Sequence, residues 1–291
     1  MVSKHKLYLT ITIIALLMGQ IFHALASNDT PQPFVVSGVI INSGSADLIK
    51  RFSNYLSARA GYPLRVVYVN KYSELSRTLR DNPHAIGWTC GAPYVQDSES
   101  SGQQLVSVPL FNNKPTYHSL ILSRKNRTEK TLADFKGGVL AYSDPRSNSG
   151  FLSPKYALHK QGIDMGKHFR LLINAGNHEG SIEALINGLA DVAAIDEYVW
   201  VAYLKHHPEA DKVLHELERM GPFPFTPIVT GNKVSTSNIK KLSSALLNMG
   251  NDTEGIKLLS EFNFDGFVNK KPDFFKPIKN MLDVVDIDSG S

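Results

Sequence analysis

Phe34-Val35-Val36-Ser37-Gly38-Val39-Ile40, Leu64-Arg65-Val66-Val67-Tyr68-Val69 and Ala85-Ile86-Gly87-Trp88 are three short apolar runs rich in β-branched residues. Each reads as a buried strand. A helical pattern over 46–60 joins the first two, with Leu48, Ile49, Phe52, Tyr55 and Leu56 on one face. Gly61 follows at the C-cap position and Pro63 just beyond it. A second helix is predicted over 72–80. This β-α-β-α-β order predicts parallel pairing with helices on both faces of the sheet.

The alternation resumes after Pro115. The pattern predicts strands over 117–122, 138–142, 169–173 and 192–195, and helices over 132–135, 149–160, 179–188 and 196–206. The joins fall near Lys114-Pro115-Thr116 and Gly221-Pro222-Phe223-Pro224-Phe225. Two Pro-rich crossings imply a chain that enters a second lobe and returns to the first. The expected organisation is a leader over 1–26, lobe 1 over 27–116 with 223–291, and lobe 2 over 117–222. Helices over 236–249 and 253–262 then complete lobe 1. The expected class is α/β, with two mostly parallel sheets facing each other across a cleft.

Lys4 and Lys6 precede a mostly apolar stretch from Leu7 to Phe22 that has no Asp or Glu. Ala24-Leu25-Ala26 is a small-x-small site, so a secretory signal peptide cleaved after Ala26 is expected, with the remainder in a periplasm. Cys90 is the only cysteine, which excludes an intramolecular disulfide and leaves no lipoprotein attachment site after the apolar stretch. Beyond the leader, 29 basic residues face 27 acidic ones, a net charge of +2. No dense Lys/Arg stripe marks a nucleic-acid surface.

In open parallel sheets, ligands sit beyond the carboxyl ends of the strands. The turns there are Asn42-Ser43-Gly44-Ser45, Thr89-Cys90-Gly91-Ala92-Pro93-Tyr94, Ser147-Asn148-Ser149-Gly150, Asn174-Ala175-Gly176-Asn177-His178 and Asp196-Glu197. The third is the most informative. A strand, a hydroxyl-rich turn and a helix start present backbone N–H groups, hydroxyls and the positive end of the helix dipole to an anion. The same residues also suit plain helix capping. Cys90 has no basic neighbour in sequence and reads as a buried, inert thiol. His178-Glu179 lacks a second His four residues after the first, so it is no zinc-protease helix. No Gly-x-Ser-x-Gly elbow stands at a strand–helix turn, and no metal cluster or Gly-rich nucleotide loop is evident. Neither an enzyme nor a cofactor-dependent protein is expected.

Several segments together resemble one family. They are Gly87-Trp88-Thr89-Cys90-Gly91-Ala92-Pro93-Tyr94, Lys114 to Ser119, Leu132-Ala133-Asp134-Phe135-Lys136-Gly137, Ser147-Asn148-Ser149-Gly150 with Pro154, Gly176-Asn177-His178-Glu179, and Asn187 to Asp196. Over roughly 34–265 the chain resembles the phosphate/phosphite/phosphonate substrate-binding proteins of ABC transporters, the PhnD-like periplasmic binding proteins. The resemblance implies a type II-like two-lobe fold and a monomer that delivers a small oxyanion to an ABC permease. By matched position it implies ligand contacts from Ser147, Asn148, Ser149, His178 and Tyr94, with Tyr117 in addition. Asp196 matches an acid at the far side of the cleft that can meet a ligand amine. Asn148 stands where the family often has Thr, Glu179 where Asp is usual, and Glu197 adds a second acid. The same fold could instead serve a sensor with a signalling partner, or hold another small anion.

Overall fold

The computed structural model describes residues 30–38 and 45–286; the expected leader and most of the turn at 42–45 lie outside the described residues. The first sheet begins as the sequence predicts. β1 (Gln32–Ser37) is followed by α1 (Ala46–Ala60), β2 (Leu64–Val69), α2 (Tyr72–Asp81) and β3 (Ile86–Trp88). β1 lies between β2 and β3 and is parallel to both, pairing Val35 with Val67 and Val36 with Trp88. Gly61 closes α1 at φ 59°, a left-handed conformation that glycine adopts without strain.

Further on come α3 (Gly91–Ser101), β4 (Gln104–Leu110) and β5 (Thr116–Arg124). Next are β6 (Val139–Tyr142), α4 (Ser153–His159), α5 (Met165–His168), β7 (Leu171–Asn174), α6 (His178–Ile186), β8 (Val192–Asp196), α7 (Glu197–His206) and α8 (Ala210–Val213). The chain then runs through β9 (Leu214–Pro224), β10 (Ile228–Thr230), α9 (Thr236–Leu247), α10 (Thr253–Phe262), β11 (Gly266–Val268) and α11 (Lys276–Leu282). The sheet orders are β11-β4-β10-β3-β1-β2 and β7-β6-β8-β5-β9.

Both sheets are mixed rather than mostly parallel. Strands joined through crossover helices pair in parallel, β1 with β2 and β3, and β6 with β7 and β8. The strands that carry the chain between sheets pair antiparallel with their neighbours. β10 runs against β3 and β4, and β5 against β8 and β9. No crossover helix sits in these passages, so nothing turns the chain back to the parallel sense. The outward passage is a tight turn. Phe111 and Lys114 exchange backbone hydrogen bonds of 2.9 and 3.1 Å. Asn112 and Asn113 take φ 52° and 59°, a region asparagine tolerates better than most residues.

The first lobe is built around a cluster of tilted and edge-on aromatics. Phe52 on α1 sits 5.4 Å from Phe262, 5.8 Å from Phe34 and 6.1 Å from Trp88, measured between ring centres. Phe52 is buried, and its neighbours come from β1, β3 and α10, which no local collapse could refill. Phe52→Ala is expected to cost about 3–5 kcal/mol of stability, read as a lower denaturant midpoint at unchanged slope. The second sheet packs apolar residues on both faces, Leu120, Ala193 and Ile195 on one, Ile121, Leu140 and Ala194 on the other. Among the described residues, no helix is long and apolar enough to cross a membrane.

Candidate functional site

β6 lies between β7 and β8, and its carboxyl end opens into the loop from Ser143 to Ser147. The expected helix over 149–160 starts differently. Residues Asn148–Leu152 form one π turn, after which α4 continues. Both the Phe151 and Leu152 N–H groups reach the Ser147 carbonyl, at 3.2 and 2.9 Å. A π turn inserts one residue into the helical path, a device frequent at functional sites. Ser147 caps it, its Oγ accepting the Gly150 N–H at 3.0 Å.

Around this turn the chain gathers polar groups from five elements. Asn148 Nδ2 donates to the Tyr117 hydroxyl on β5 at 3.0 Å, and the Asn148 N–H points at Cys90 Sγ at 3.4 Å. The Ser149 carbonyl accepts the Ser119 hydroxyl at 2.7 Å. Ser149 Oγ faces the Asp196 carboxyl and the Tyr117 hydroxyl, yet forms no well-aligned hydrogen bond. Asn148 Oδ1 is likewise unpaired. Ser147, Asn148, Ser149, His178 and Asp196 are all buried.

His178, at the start of α6, accepts the Asp196 N–H at Nδ1 (3.1 Å) and places Nε2 3.3 Å from Ser143 Oγ. Accepting at Nδ1 puts the proton of the neutral ring on Nε2, which is therefore a donor into the site. Burial keeps the ring neutral by pushing its pKa down to about 3. Asp196 ends β8 and caps α7, accepting the Tyr198 N–H at 2.8 Å. Burial drives its carboxyl up to about 7 against those backbone bonds, which favour the charged form. Among the described residues, Arg146 is the only buried arginine or lysine, and its guanidinium is turned to Asp97 at 2.8 Å. An anion here would be met by hydroxyls, an imidazole N–H, an amide and backbone rather than by a fixed cation.

The remaining expected residues separate. Tyr117 is part of the cluster, its ring against Phe225 at 5.5 Å. Tyr94 stands apart. It packs edge-on against Phe275 at 4.7 Å, and its phenol is lifted to about 12 by burial, not by a site charge. Glu197 is turned away from Asp196, bound by the His118 backbone N–H at 3.0 Å, its ring nitrogen at 2.8 Å and the Arg219 guanidinium. Its charge is thereby answered on the outer side. Two groups were not foreseen. Tyr72 opens α2 and is fully buried with an unpaired hydroxyl. Burial first, then Cys90, Asp144, Asp196 and Tyr117, raise its phenol well above the ordinary range, so it adjoins the site from the first lobe. Cys90 is a buried thiol pushed up by burial, as expected, but it lies against Tyr72 and the Asn148 N–H. A tyrosine that begins a helix three residues past a strand end was the available signal for Tyr72.

Comparison with known proteins gives a consistent result. A profile of the ABC-transporter phosphonate periplasmic substrate-binding proteins matches residues 42–273. The chain is 23% identical over 238 residues to the phosphonates-binding periplasmic protein of Escherichia coli K12, covering 79% of this chain and 70% of that one. It is 24% identical over 261 residues to a probable ABC transporter phosphite binding protein, PhnD1, of Prochlorococcus marinus, covering 84% of this chain and 87% of that one. The structure of PhnD1 in complex with methylphosphonate superposes with a TM-score of 0.77 at 19% identity, covering 87% of this chain and 98% of that one. A binding protein component of a phosphonate ABC transporter from Pseudomonas aeruginosa gives 0.78 at 21% identity, covering 87% and 86%. With its two α/β lobes and a profile match over most of its length, the chain belongs to the periplasmic substrate-binding proteins of phosphonate-type ABC transporters.

Proposed function

We propose that this protein captures a small phosphonate, phosphite or phosphate oxyanion between its lobes and delivers it to an ABC permease, without chemical change. The observation that carries the reading is the Ser147-Asn148-Ser149 turn, whose buried Ser149 Oγ has no well-aligned partner and which is bordered by Tyr117, Asp196 and, at Gly150, the neutral His178 ring. Tyr72, Tyr117, Ser147, Asn148, Ser149, His178 and Asp196 form the proposed site. Neutral donors hold an anion reversibly, and closure strengthens each charge-assisted bond by removing water. The proposed lobes are 27–116 with 223–291, and 117–222, moving about the two passages. The proposed mature form is a periplasmic monomer exported with a leader cleaved after Ala26.

Calorimetric titration with phosphate, phosphite, methylphosphonate and 2-aminoethylphosphonate tests this. One of the four is expected to bind tightly. Ser149→Ala is expected to weaken that ligand by about 1.5–3 kcal/mol, roughly 10- to 150-fold, because a hydrogen bond to a charged oxygen is lost. No heat with any of the four from a folded protein would overturn the ligand class. Tight binding unaffected by Ser149→Ala would move the site elsewhere.

A further inference from the structure

The loop that carries the ligand turn is attached to the opposite lobe. It leaves β6 in the second sheet, yet Arg146 reaches over to α2 and α3, which pack on the first. Its Nη2 donates to Asp97 Oδ1 at 2.8 Å and to Gln96 Oε1 at 2.9 Å. Nε donates to the same Gln96 oxygen at 3.2 Å, and Nη1 donates to the Ser76 hydroxyl. Asp97 is itself held by Ser76 and by Gln103 Nε2 at 3.0 Å. Arg146 and Asp97 are 1% and 4% exposed. A second tie runs alongside: Asp144 accepts the Arg146 N–H at 2.7 Å and the Tyr72 N–H, from the other lobe, at 3.3 Å.

We infer that Arg146 is a positioning residue that latches the cleft shut, its guanidinium docked in the Asp97–Gln96–Ser76 cradle of the first lobe. The inference rests on the reading of the adjacent turn as the ligand site. Arg146 stands one residue from Ser147 and three from Ser149, so seating the guanidinium also sets the turn against Cys90 and Tyr117. A planar fork that satisfies two acceptor residues at once fixes direction as well as distance, which a flexible ammonium does not. In an opened cleft both charges meet water, so the pair acts on the closed form only. A binding-competent state that is already populated removes part of the conformational cost of capture.

The test is small-angle scattering of ligand-free protein together with calorimetry using methylphosphonate, for the wild type, Arg146→Gln, Arg146→Lys and Asp97→Asn. The ligand-free wild type is expected to match the dimensions of its ligand-bound form. Arg146→Gln and Asp97→Asn are expected to be larger without ligand, to contract on binding, and to bind about ten-fold or more weakly. Arg146→Lys, with charge but no fork, should fall between. The latch is refuted if the variants keep wild-type dimensions without ligand, whether or not their melting temperatures fall. It is also refuted if the ligand-free wild type is already as extended as the variants. If no protein binds methylphosphonate, the titrations use whichever of phosphate, phosphite and 2-aminoethylphosphonate the wild type binds; silence with all four ends the ligand reading, while the ligand-free dimensions still decide the latch.

Discussion

Gly150→Ala is expected to abolish measurable oxyanion binding while leaving the protein folded. A Cβ at this position would stand 2.2 Å from Ser143 Oγ, 3.1 Å from Ser147 Oγ and 3.2 Å from His178 Cε1. All three belong to the site. Ser143 cannot move without disturbing its contact with His178 Nε2, nor Ser147 without losing the bond that caps the π turn. The methyl group therefore displaces donors on two sides of the ligand position. Loss of two charge-assisted hydrogen bonds at about 1.5–3 kcal/mol each corresponds to a fall of two or more orders of magnitude in affinity. Titration with the wild-type ligand, paired with a thermal melt, checks both halves. Gly250→Ala is the matched control, since its added methyl meets nothing within 4 Å. Retained affinity in Gly150→Ala would show that the ligand does not lie against this turn.

Asp196 and His178 are expected to cancel in the acid stability of the protein, and separating them should expose a large effect of each. In the fold His178 takes a proton only near pH 3, against 6.5 when unfolded, so it withdraws stability as pH falls through that window. Asp196 takes its proton near pH 7 in the fold, against 3.8 when unfolded, so it returns stability as pH falls. Each contribution is on the order of 4–5 kcal/mol across its window. Between pH 3.8 and 6.5 the two slopes oppose, and wild-type stability is expected to be nearly level there. Asp196→Asn should lose stability steeply on acidification, and His178→Gln should gain it. Denaturant unfolding at several pH values gives the answer, and three parallel curves would rule the cancellation out.

What the sequence made legible depended on how local its cause was. α1 and α10 occupy the expected residues because a strong helical period and a defined end leave little choice. β9 escaped notice because His215, Glu216, Glu218 and Arg219 give it the look of a polar loop; it is a half-exposed edge strand with two irregularities of register. α3 starts Gly91-Ala92-Pro93, a poor helical sequence. Tertiary packing holds it, so tightly that a Cβ on Gly91 would lie 2.3 Å from the Ile278 side chain. β10 has three residues, too few for any periodicity. The site followed the same division. The turn at 147–149, His178 and Asp196 could be placed from strand ends alone. Tyr72 starts a helix near a strand end, but nothing local ties it to that turn, and Arg146 could not be placed at all, because what defines it is a partner in the other lobe. Arg146 and Asp97 are 49 residues apart in sequence. Glu197 read as an added charge in the cleft, whereas Arg219 and His118 draw it outward, a pairing set by the β5–β9 register.

β10, the strand seated between β3 and β4, is made late. When a ribosome has released everything up to β9, the first sheet still lacks the element that joins its two halves, whereas the second sheet is complete. Neither β4 nor β3 has a permanent neighbour on that side until residues 228–230 emerge. Synthesis order thus makes closure of the first sheet wait for a segment released after the second sheet is complete. Relocating the termini so that β10 is translated early would end that wait and is expected to leave the finished fold unchanged.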